Sequence, residues 1–201
     1  IKWYSNENVK KSILANAQGK EVAVKFGSGG FGKRPDLLKY PDDIVAFAQQ
    51  GATSFHISEE KWSNILQITP EMRRIELDNL RDGWDLIMDI DCEFLEYSQI
   101  TTHLLIQALK YHGITAFSVK FSGNHGFHIA IPFEAFPEKV NTSLTKNMFP
   151  EGPRRIAFFL KDFIRDSLER EMLKKHININ EEKLYEWEDV SQKNNITIQS
   201  G

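Results

Sequence analysis

One cysteine, Cys92, stands in 201 residues. A single thiol forms no internal disulfide and excludes a zinc site built from several cysteines, so no structural zinc is expected. No apolar run approaches the length that spans a bilayer, and the amino end carries no signal-peptide pattern. A basic surplus is missing too: the formal net charge is −3, so any grip on nucleic acid would rest on local basic patches. Internal repeats and low-complexity linkers are absent. The expectation is a soluble intracellular protein, in the cytoplasm or nucleoid, or in the nucleus of a eukaryote, with no membrane partner.

What is present suits a packed core. Hydrophobic residues make up 41% and aromatic residues 11% of the chain, and its length fits one sizeable domain or two small ones. The pattern predicts a helix over "SNENVKKSILANAQG", capped at Ser5 and stopped at Gly19. A strand "KEVAVKF", a short helix "PDDIVAFAQQG" and a strand "ATSFHIS" follow. "TPEMRRIELDNLRDG" reads as a helix opened by Thr69 and Pro70 and closed at Gly83. "WDLIMDIDCEF" reads as a buried strand. Next come a helix "TTHLLIQALKYHG", with Leu105, Ala108, Leu109 and His112 on one face, and strands "TAFSVKF" and "GFHIAIP". The longest helix, "PRRIAFFLKDFIRDSLEREMLKK", carries Ile156, Leu160, Ile164, Leu168 and Met172 at four-residue spacing. The class is mixed α/β (α+β), with a strand–helix–strand unit over residues 84–121.

Residues 27–33, "GSGGFGK", match the phosphate-loop spacing. Arg34 stands where a magnesium-binding Ser or Thr belongs, and Pro35 follows where a helix should begin. The stretch reads instead as a hairpin tip. Lys33 and Arg34 remain candidates for side-chain contact with phosphates.

Asp89 and Asp91 alternate along one strand, so their carboxylates share a face. Leu86, Ile87, Met88 and Ile90 flank them. Two like charges at the buried end of a strand repel one another and lose solvation; a divalent cation relieves both costs. Hard oxygen ligands suit magnesium or manganese. The plain alternative is a strand emerging into water with its acids solvated. Glu93 continues the face, as a further ligand or as the solvated strand end.

Thirty residues on, "VKFSGNHGFHIAIP" sets Ser122, Gly123, Asn124, His125, Gly126 and His128 between two apolar runs. The glycines allow a tight turn and a close approach of backbone to ligand. Ser122 and His128 can hydrogen-bond phosphate oxygens; His125, in the turn, is expected to face solvent. A hairpin with a satisfied histidine is the structural alternative.

The pairing of "LIMDIDCEF" with "VKFSGNHGFHIAIP", a helix between them, resembles the archaeo-eukaryotic primase superfamily, and most of all the small catalytic subunit of archaeal and eukaryotic DNA primase. "KEVAVKF…GKRP", with Lys20 in place of an arginine, and "YSNENVKKSIL" are similar to its upstream elements, so the resemblance covers about residues 3–135. It implies one primase-type catalytic domain over residues 1–201, with an RRM-like sheet bearing the acids and a helical segment at 151–176. It implies nucleotidyl transfer, with Asp89 and Asp91 holding two magnesium or manganese ions. Ser122, Gly123 and His128 would bind the phosphates of nucleoside triphosphates, with Arg34, Lys33, Asn124 and His125 as further nucleotide contacts. The implied partners are a single-stranded DNA template and a large primase subunit or fused equivalent. The long helix offers apolar surface for that subunit, although core packing is its first expected role.

The family uses a third acid on a later strand. "LYEWEDVSQ" offers Glu188 and Asp189, but in the wrong context. The chain starts at Ile1 and ends after "NNITIQSG", so the third-acid strand is expected to lie outside it; otherwise the ligand comes from elsewhere or the site is defective. Two other functions fit the residues. One is a repair polymerase of the same superfamily, like that of bacterial end-joining ligases. The other is a non-catalytic nucleotide- or DNA-binding module.

Overall fold

Alternating and four-residue periods in the sequence become two larger sheets with their helices, beside one two-stranded sheet. The computed structural model describes residues 2–27, 29–177 and 197–200. The chain divides into two compact units, Ile1–Trp84 and Asp85–Gly201.

The first unit opens with α1 (Glu7–Ala17). Its cap is Asn6, not Ser5: the Asn6 Oδ1 accepts the Asn8 and Val9 N–H groups at 2.9 and 3.4 Å, satisfying donors that the first turn leaves free. Then come β1 (Lys20–Phe26), α2 (Pro41–Gln49), β2 (Ala52–Trp62), α3 (Arg74–Leu80) and β3 (Arg81–Trp84). The three strands form an antiparallel sheet in the order β1-β2-β3. Val22 and Val24 of β1 pack with Ala17, Leu38, Ile44 and Ala52, and Ile13, Phe47 and Phe55 close around them.

The helix expected over 69–83 is half that length. Glu76 caps it by accepting the Arg73 N–H at 2.7 Å, which leaves Thr69 and Pro70 outside. From Arg81 the chain extends to pair with β2. The reason is tertiary: Arg81 is 4% exposed and its guanidinium meets Glu60 at 2.7 Å and also Asp78, over the Trp62 ring.

The second unit contains β4 (Leu86–Asp91), α4 (Leu95–Tyr111), β5 (Ser118–Phe121), β6 (Phe127–Ile131), β7 (Lys139–Val140), β8 (Ser143–Leu144), α5 (Glu151–Ile177) and β9 (Thr197–Ser200). The main sheet runs β5-β6-β4-β9, with every neighbour antiparallel. The expected strand–helix–strand unit is β4–α4–β5. Its two strands run the same way but are parted by β6, a split β-α-β arrangement. Helix α4 starts six residues before the predicted Thr101, and buries Tyr97 and Ser98 in the added turns.

One sheet face is covered: α4 contacts β4 and β6, and α5 contacts β4 and β9. Leu86, Met88, Ile90, Ile129, Leu105, Leu109 and Leu160 are fully or almost fully buried. The predicted stripe of α5 holds, with Leu160, Ile164 and Met172 buried, while Phe158, Phe159 and Phe163 on other sides of the helix are exposed. On α4, Leu105, Ala108 and Leu109 are buried, and His112 is exposed against the rings of Phe159 and Phe163. Among the described residues no helix is long and apolar enough to cross a membrane. Glu188 and Asp189 lie outside the described residues.

Candidate functional site

Three strand ends meet at one edge of the second sheet. β4 arrives there with Asp91, β5 arrives beside it and runs on into Ser122, and β6 departs from it after Gly126. The register pairs Asp89 with His128, and His128 with Lys120. Residues directly opposite one another project to the same face, so Lys120, His128 and Asp89 form a row across three strands. Two residues further along, Ser122, Gly126 and Asp91 continue that face as a second row.

This is the face that the helices do not cover. Leu86, Met88 and Ile90 turn inward, while Asp89 and Asp91 are exposed, Asp89 by 56%. The expected desolvation of the two acids therefore does not occur. The apolar run around them belongs to the opposite face, and water reaches both carboxylates. Glu93 does not continue the face either: β4 ends at Asp91, and Glu93 sits exposed in the bend before α4.

The turn between β5 and β6 is held from within. The Ser122 N–H donates to the Gly126 carbonyl at 2.9 Å, and the Gly126 N–H donates to Ser122 Oγ at 3.2 Å. Ser122 thus uses an acceptor lone pair on the turn and keeps its own O–H for a ligand. Gly123 has φ +97°, a left-handed conformation natural to glycine. Asn124 and His125 are exposed at the tip. Gly126 is buried because the backbone of β4 passes so close: a Cβ there would strike the Ile90 carbonyl oxygen and lie 3.1 Å from Asp91 Oδ1. His128 Nε2 stands 3.4 Å from Asp89 Oδ1, in reach of an ion pair when the imidazole is protonated.

The face is split by charge. Carboxylates line the β4 side, and an ammonium, a hydroxyl and an imidazole line the β5–β6 side. Such a surface can hold a divalent cation on one side and the anionic groups bound to that cation on the other. Among the described residues no group of three or more His, Cys, Asp or Glu side chains converges to cage a metal. On its other edge β4 pairs with β9, where Gln199 stands opposite Asp89 and Thr197 opposite Asp91.

Asp89, Asp91, Ser122, Gly123 and His128 are thus gathered at one sheet edge, with Asn124 and His125 on the adjoining turn. Lys33 and Arg34 belong to the first unit. There the glycine-rich segment folds back on β1, with the Gly32 N–H donating to the Val24 carbonyl at 2.8 Å. Among the described residues after this segment no helix begins until Pro41, where a phosphate loop would run straight into one. Arg34 is engaged by Glu21 through two bonds, of 2.8 and 3.0 Å, which raise its pKa further. Lys33 is exposed. Sequence reasoning missed Lys120, although strand alternation places it on the face of Ser122, two residues before it.

Neither a scan of protein-family models nor a search of curated proteins found a match to this chain.

Proposed function

We propose that residues 1–201 form the catalytic chain of a DNA primase of the archaeo-eukaryotic type, making short RNA or DNA primers on single-stranded DNA. The observation that carries the proposal is the charge-split face. An Asp-x-Asp pair on β4, His128 on the neighbouring β6 and Ser122 at the end of β5, the acid and Ser–His pairs about thirty residues apart in sequence, share one open face at the same end of the sheet.

The donor set fits magnesium or manganese. Magnesium keeps several waters and binds through one or two carboxylates plus substrate phosphates, rather than in an all-protein cage. Two accessible carboxylates beside phosphate-binding donors meet that need. Asp89 and Asp91 would hold the ions, which when bound supply Lewis-acid activation of a 3′-hydroxyl and neutralise the leaving pyrophosphate. The Ser122 O–H donates to a phosphate oxygen, and protonated His128 adds a charged donor. Gly123 and Gly126 keep the turn low enough for the triphosphate to lie over it. A large primase subunit is the proposed protein partner, with the exposed Phe158, Phe159 and Phe163 as its contact.

In the β4–β9 register, Gln199 and Thr197 rather than an acid are the residues paired with Asp89 and Asp91. That observation favours a second reading, a module that binds nucleotide without turnover. One assay separates the two. The protein is given single-stranded DNA, labelled nucleotides and magnesium or manganese, beside its Asp89→Ala, Asp91→Ala double variant. Primers made from nothing and lost in the variant support a primase. Extension of a supplied primer alone moves the assignment to a repair polymerase. Nucleotide binding without any synthesis supports the binding module.

A further inference from the structure

We infer that Lys120 is a third phosphate ligand of this site and the residue that makes it prefer a triphosphate to a monophosphate. The inference rests on the nucleotide-binding reading above. Three observations carry it. Lys120 lies directly opposite His128 in the β5–β6 register, and His128 lies opposite Asp89, so the ammonium, the imidazole and the carboxylate share one row and one face. Lys120 is exposed and has no ion pair among the described residues. Ser122, two residues on, has its hydroxyl oxygen committed to the Gly126 N–H and offers the ligand a single donor.

Without Lys120, the positive side of the face would be one hydroxyl and one imidazole that is charged only when protonated. That is little for the phosphate chain of a nucleoside triphosphate, because Asp89 and Asp91 would themselves neutralise part of the charge of the ions they hold. A lysine brings three donors on a flexible stem. It also sits one strand further from the carboxylates than His128 does. A phosphate chain that begins at the metal side therefore meets His128 first and Lys120 last. A nucleoside monophosphate anchored at the carboxylates is too short to reach it.

The test measures binding of ATP and of AMP, each with magnesium, by calorimetry. The proteins are the wild type, Lys120→Met, Lys120→Arg, Asp89→Asn and, as a control outside the site, Lys139→Met. Thermal unfolding confirms that each is folded. Lys120→Met is expected to weaken ATP about tenfold, a loss of about 1.4 kcal/mol, and to leave AMP within about twofold. Lys120→Arg is expected to recover most of the ATP affinity. Equal loss for ATP and AMP, or no loss of ATP in a Lys120→Met protein whose binding still falls in Asp89→Asn, overturns the inference and leaves the site standing. No ATP binding by the wild type, or binding indifferent to Asp89→Asn, overturns the site reading itself.

Discussion

Gly126→Ala tests the packing that builds the site, because the space for its methyl is already taken. The new Cβ would strike the Ile90 carbonyl oxygen and meet Asp91 Cα at 3.3 Å. Backbone cannot swing aside as a flexible side chain can, so β4 and β6 must separate by roughly half an ångström at Ile90–Phe127. Overpacking of this kind costs about 1–3 kcal/mol. Loss of glycine's freedom in the unfolded chain returns about 0.4–1 kcal/mol. The net cost is about 1–2 kcal/mol, which for a chain of this size lowers Tm by about 2–8 °C. The companion Gly123→Ala meets nothing within 4 Å and is strained only through its φ of +97°, at about 1–2 kcal/mol. The two variants therefore cost similar amounts and differ in where the damage falls. Hydrogen exchange should show lost protection across β4 and β6 in Gly126→Ala, and only within the turn in Gly123→Ala. A Gly126→Ala protein with wild-type Tm and unchanged protection at Phe127 and Ile129 would refute the close approach, and with it the second row of the site.

Three other substitutions or reagents probe separate parts of the chain. Arg81→Met strips the half-buried Glu60 of its cation and leaves Asp78 to Arg74 at 3.8 Å; it should destabilise the first unit by about 1–3 kcal/mol, read from tryptophan fluorescence in urea, and no measurable loss would refute the cost of stranding the Glu60 carboxylate. Thr101→Val should be neutral or stabilise by about 1 kcal/mol, because Thr101 is fully buried and its hydroxyl finds no partner among the described residues; a clear loss of stability would mean that the hydroxyl is bonded. Cys92 is 3% exposed and burial pushes its thiol pKa up, with the nearby Asp91 charge adding to the shift. A raised pKa means less thiolate at any pH below it, so a disulfide reagent at neutral pH should react at least about tenfold more slowly with folded than with unfolded protein. Equal rates would show that the carboxyl end of β4 opens freely.

The elements legible in the sequence were those fixed by local period. β1, α2 and α5 were read from alternation, from a proline start and from the four-residue stripe Leu160, Ile164, Met172. What the sequence hid depends on pairing between distant segments. Arg81 reads as helix from its neighbours, yet Glu60, twenty-one residues earlier, draws it into a strand. The run Leu86-Ile87-Met88 looks buried on both faces, because Ile87 breaks the alternation that marks a half-covered strand. In an antiparallel sheet with helices on one side only, the other face stays open to water, and Asp89 and Asp91 take that face. The same openness joins the two motifs. The sequence shows each of them as a short pattern, an acid pair and a serine–glycine–histidine turn. Only the register of β6 between β4 and β5 turns them into rows, with Lys120 at the cationic end and Asp89 at the anionic end. On the proposed reading, a metal-bound triphosphate would use both kinds of group in one row. The sheet supplies that line by folding a residue from each of three strands onto one face.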